Sequence, residues 1–155
     1  MLWSSLFGLT NAIAVAGWLV LLLAPRKPLA NSVVLFVGVG LLCLLYTAMF
    51  VALVFGLADP GGPGGTTPFD YRDYSIGGLR NLFGTDAGIV VGWTHYLAFD
   101  LFAGLWIARD ADRKGWSRLA QVPILILTFL AGPAGLLLWL ILRERGARRE
   151  ARAAR

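Results

Sequence analysis

The chain has 155 residues, room for one domain; 57% are hydrophobic and only 15% charged, against roughly 25% charged in soluble domains. With a mean hydropathy of +0.69, that composition excludes a water-soluble globular enzyme and a disordered tail. The net charge of +5 does not indicate nucleic acid, because the basic residues bracket apolar segments and gather in a tail, where anionic lipid is the nearer partner.

The charges are unevenly spread. None precedes Arg26, none lies between Lys27 and Asp59, and none between Arg118 and Arg143. Windows of that length without charge mark bilayer-spanning helices. The expected fold is therefore all-α: a polytopic membrane protein with a four-transmembrane-helix bundle over residues 1–142, followed by a basic, flexible or interfacial tail over 143–155.

The first span is expected from Leu6 to Ala24. It follows a start that lacks the basic region of a signal peptide, and Pro25-Arg26-Lys27-Pro28 terminates it. The second is expected from Ser32 to Ala58, ending at the turn Asp59-Pro60-Gly61-Gly62-Pro63-Gly64-Gly65. In the long loop that follows, Ser75 or Asp73 can cap a short helix carrying Ile76, Leu79, Leu82 and Phe83 at helical spacing. It reads as an interfacial or re-entrant helix between helices 2 and 3.

The third span is expected from Gly88 to Ala108, with 109–118 as a short charged turn. The fourth is expected from Leu119 to Leu142, kinked at Pro133. In that topology the N-terminus, the long loop and the tail share a side holding eight Lys or Arg, against six on the other side. The lean toward cytoplasmic termini is weak.

One charge lies inside a span. Asp100 sits between Phe99 and Leu101, well inside the span from Gly88 to Ala108, and intramembrane carboxylates face the bundle interior and tend to be functional. Trp93, Tyr96, Asp100 and Gly104 fall on one helical stripe. His95, the sole histidine, is rotated about 140° from Asp100. If the two act together, their site wraps the helix flank; otherwise His95 addresses another neighbour. In a purely structural role Asp100 would pair with Asn11, Tyr46, Arg80 or Thr128 to fix helix packing. As a site, the candidates are Asp100, His95 and Tyr96 for acid–base chemistry, with Trp93, Asn11 and Thr128 beside the substrate.

Other chemistries lack their residues. One histidine cannot supply a bis-histidine haem, and no cysteine set or carboxylate–histidine cluster suits a metal. The glycine-rich stretch 61–65 lacks the lysine of a phosphate loop. No cofactor and no metal are expected. What remains is cofactor-free acid–base chemistry, a binding groove for a lipid or other long apolar molecule, an assembly subunit, or a small proton-coupled carrier.

The segment Gly92-Trp-Thr-His-Tyr-Leu-Ala-Phe-Asp-Leu-Phe-Ala-Gly-Leu-Trp-Ile107, with Asp110 after it, resembles the signature of the plant abscisic-acid-deficient-four family. Pro123, Leu127-Thr128-Phe129 and Gly132-Pro133-Ala134-Gly135-Leu136-Leu137 resemble that family's last helix, and Asn11 and Pro25 fit more loosely. The resemblance implies a four-helix membrane protein tied to neoxanthin synthesis, the conversion of an epoxycarotenoid end group into an allene. That reaction is a net isomerisation. It would use Asp100 as base and Tyr96 or His95 as acid, with a carotenoid in the apolar bundle. The alternative is a non-catalytic module that binds carotenoid or lipid. The Arg/Ala/Gly-rich makeup suggests a bacterial source, and hence an integral, multi-pass protein of the inner membrane.

Overall fold

The computed structural model describes residues 2–62 and 72–153. Pro63, Gly64 and Gly65 of the expected turn lie outside the described residues. Within them the fold is all-helical: α1 (Leu2–Leu23), α2 (Pro28–Val54), α3 (Ile76–Phe83), α4 (Asp86–Arg113), α5 (Arg118–Leu130) and α6 (Gly132–Ala153). Three of these, α1, α2 and α4, are long and apolar enough to cross a membrane.

The helix ends follow local chemistry. Pro28 occupies the first turn of α2, where its missing amide costs nothing. Beyond Val54, Gly56 takes a positive φ of 64° and lets the Leu57 amide reach the Ala52 carbonyl at 2.7 Å, which closes the helix earlier than Ala58. Within α2, Val33–Gly40 is wound as a π-helix. Ser75 caps α3 by accepting from the Gly78 amide, and Asp73 accepts from the Ser75 amide at 2.9 Å. Thr85 caps α4 through the Gly88 amide.

Helices α1, α2 and α4 meet at a point of small residues. Leu101 is fully buried and fills the hollow between Gly17 and Gly38, where an added Cβ would stand 2.6 and 3.0 Å from its Cδ2. One turn on, Gly104 leaves room for the Trp18 ring. Small residues of this kind let apolar helices approach without a hydrophobic drive between them.

At one end of the bundle the start of the glycine turn docks on α4. The Trp3 indole donates to the Asp59 carbonyl at 2.8 Å, and the Ala87 amide to the Pro60 carbonyl at 2.9 Å. Gly61 and Gly62, at φ 64° and 75°, lie against the Asp86 carboxylate. We call this the glycine-loop end. The opposite, basic end is a polar network. Arg26 pairs with Asp112 at 3.2 Å, Gln121 donates to Asp112 at 2.8 Å, and Arg118 donates to the Leu22 and Ala24 carbonyls that end α1. Burial pulls the Arg26 guanidinium below its ordinary pKa, and the Asp112 charge opposes that pull.

Two expectations need correction. The charged stretch 109–118 is not a turn as far as Arg113: α4 continues through it, because Asp110 and Asp112 find cationic partners on α6 and beside α1. The expected fourth span is two helices folded back on each other, so the described residues hold six helices rather than a four-helix bundle. Ala131 leaves the helical region at φ −153°, ψ 77°. Pro133 is the second residue of the new helix α6, not a kink in an old one. The chain then returns. Gln121 in α5 and Trp139 in α6 both reach the basic end, where the Trp139 ring lies 5.2 Å from Trp116 and its indole donates to Asp110 at 3.1 Å. Gly135 makes the hairpin tight, since a Cβ there would strike the Thr128 backbone. From that tip α6 runs back to the basic end and on to Ala153, into the basic tail.

Candidate functional site

The hairpin tip meets α4 at Asp100. The carboxyl group lies against Gly132, at a place where any side chain on residue 132 would collide with it. Asp100 is half-buried and, among the described residues, has no hydrogen-bond or ion-pair partner. Of the four residues expected to pair with it, Asn11 and Thr128 are engaged elsewhere. Asn11 donates to the Phe7 carbonyl at 2.7 Å and accepts from the Trp93 indole at 3.1 Å. Thr128, fully buried, donates to the Ile124 carbonyl at 2.8 Å. Tyr46 stacks on Phe50 with ring centroids 6.0 Å apart.

Two grooves converge on that carboxyl group. One, of about 490 Å³, lies between α1, α4 and the hairpin tip and is lined by Asn11, Trp93, Tyr96, Asp100 and Phe129 among others. The other, of about 540 Å³, runs between α4 and α6 toward the basic end and is lined by Phe99, Asp100, Phe102, Trp106, Leu136 and Leu140 among others. Apart from Asp100, the second is walled by apolar and aromatic groups. Such a shape suits a long apolar molecule with one polar end.

Trp93, Asn11, Tyr96 and Asp100 therefore share one groove, as the helical stripe predicts for the α4 members. Gly104, from the same stripe, turns inward against Trp18. Thr128 lies inside the hairpin and lines neither groove. His95 addresses a different neighbour: with Tyr46, Phe50, Leu82 and Phe83 it lines a separate hollow of about 190 Å³ between α2, α3 and α4. Its ring is 4.7 Å from Phe99 and 5.7 Å from Tyr46. Tyr96 borders both hollows. Among the described residues no three His, Cys, Asp or Glu side chains gather into a metal site.

Two residues named from the sequence, but given no role there, shape the site. Gly132 makes room for the carboxylate. Asp110, nearly buried, binds α6 to α4 through Arg143 at 3.0 Å and through the Trp139 indole, while the Arg143 guanidinium lies 5.7 Å from the Trp106 ring centre. The available signal was Asp110 standing one helical turn after Trp106, which continues the α4 periodicity past Ala108.

Comparison with curated proteins and with solved structures returns no match. The family model described as ABA DEFICIENT 4-like matches residues 5–139, a stretch that holds the hairpin tip, Asp100 and all the residues named for the two grooves except Leu140. On that match the chain belongs to the ABA DEFICIENT 4-like family.

Proposed function

We propose that this protein is a cofactor-free isomerase of carotenoid end groups, working as an integral, multi-pass protein of a bacterial cytoplasmic membrane. The observation that carries the reading is the carboxyl group of Asp100, left without a partner among the described residues where two grooves meet at the hairpin tip. A carboxylate within a span is costly unless it has a role, and here it is open to whatever lies in the grooves. The aromatic walls of Phe99, Phe102 and Trp106 match a flat, conjugated chain.

The chemistry needs one base and one acid. Asp100 removes a proton from the vinylic carbon beside an epoxide. The freed electron pair forms the second double bond of an allene as the adjacent C–O bond breaks. The oxygen takes a proton from Tyr96, which lines the same groove. Atoms and electrons balance without an oxidant. His95 stands on the far side of Tyr96 and is the less direct acid.

The test is conversion of an epoxycarotenoid supplied to cells that express the wild type or Asp100→Asn at matched membrane levels. Allenic product from the wild type and none from the variant is expected. Equal conversion by both would refute the assignment. A wild type that retains pigment on purification but converts none is a carotenoid-binding module instead.

A further inference from the structure

The hairpin changes the distribution of charge. A four-span path would divide the Lys and Arg eight to six. With α5 and α6 folded back, both of their outer ends lie at the basic end, held there by the Gln121–Asp112 and Arg143–Asp110 contacts. Of the thirteen Lys and Arg among the described residues, eleven then belong to that end: Arg26 and Lys27, the four from Arg109 to Arg118, and the five from Arg143 to Arg152. Only Arg72 and Arg80 belong to the glycine-loop end, beside Asp59, Asp73 and Asp86.

Helix length agrees. The 13 residues of α5 rise about 20 Å, well short of the roughly 30 Å of a hydrocarbon core. The apolar part of α6, from Gly132 to Leu142, is shorter still.

We propose that the chain crosses its membrane three times with the basic end against the anionic phospholipid headgroups of the cytoplasmic leaflet. The N-terminus lies outside, and α5 and α6 form a re-entrant hairpin that dips from the cytoplasmic side to the depth of Asp100. The positive-inside rule gives the orientation, and the exposed Lys27 and Lys114 are placed to meet anionic headgroups. The groove from Asp100 toward Trp106 and Leu140 then opens within the cytoplasmic leaflet, and a lipid-dissolved ligand enters sideways from there. That last consequence rests on the proposed function; the topology does not.

The experiment is cysteine labelling of the full chain in intact cells. Cys43 is the sole cysteine, so a Cys43→Ser background carries single substitutions Asn81→Cys, Lys114→Cys or Ala147→Cys. A membrane-impermeant maleimide is expected to label Asn81→Cys directly. Lys114→Cys and Ala147→Cys should label several-fold more after permeabilisation. If Asn81→Cys or Lys114→Cys fails to reach the membrane, the exposed Tyr74 and Lys27 supply replacements at the two ends. Labelling that separates Lys114 from Ala147 would restore a four-span path and overturn the hairpin. Labelling of Lys114 and Ala147 from outside, or grouping of either with Asn81, would overturn the orientation.

Discussion

The carboxyl group of Asp100 rests against Gly132, so the intramembrane charge and the tip of the hairpin occupy one point in the fold. The contact explains why residue 132 has no side chain. It also ties the candidate site to the turn that brings α6 alongside α4.

Gly132→Ala should therefore be felt at the site and in the fold together. The added methyl meets a side chain, and over-packing of this kind costs about 1–3 kcal/mol. Asp100→Ala should relieve most of that loss, because it removes the colliding group. A double-mutant cycle read by unfolding in detergent checks the coupling, and additive losses would show the contact to be slack.

Gly135→Ala should behave differently. Its methyl would strike the Thr128 backbone as well as the hydroxyl, so Thr128→Ala should not rescue it. The expected destabilisation exceeds that of Gly132→Ala in the same unfolding measurement, with the hairpin opened.

Asp110→Asn should loosen α6 from α4. Breaking a buried ion pair costs about 3–5 kcal/mol. The Arg143 side chain is about a third exposed, so solvent should reduce the loss to about 1–3 kcal/mol. The asparagine can still accept from the Trp139 indole, so Asp110→Ala should cost more. Thermal unfolding of the three proteins at matched salt reads the order.

Trp93→Phe removes the indole donor to Asn11 while keeping most of the aromatic bulk. The expected cost to stability is about 0.6–2 kcal/mol, the range of interhelical hydrogen bonds in membrane proteins. Asn11→Ala should cost more, since it also loses the bond to the Phe7 carbonyl. Retained pigment binding by Trp93→Phe would place the pair in the packing of α1 on α4 rather than in ligand recognition.

Tyr96→Phe and His95→Ala separate the two candidate acids. With Tyr96 beside Asp100 and His95 in another hollow, Tyr96→Phe should lower conversion by roughly the 10²–10⁴-fold typical of a lost general acid. His95→Ala should lower it far less. Initial rates of allene formation decide, and the reverse order would move the acid to His95.

The sequence by itself determined that the protein belongs in a membrane. It located the apolar helices α1, α2 and α4 to within a few residues at most ends, and it singled out Asp100, because hydropathy, caps and a misplaced charge are local properties. It also placed Trp93, Tyr96 and Asp100 on one stripe, since helical periodicity needs no partner. The path of the last apolar stretch was decided only by tertiary structure. Hydropathy sums residues and cannot distinguish one helix across a bilayer from two half-length helices folded at Ala131. The difference lies in contacts between residues far apart in sequence, Arg143 with Asp110 and Gly132 with Asp100. Those contacts carry α4 past Ala108, gather the basic residues at one end and leave Asp100 at the meeting of two grooves.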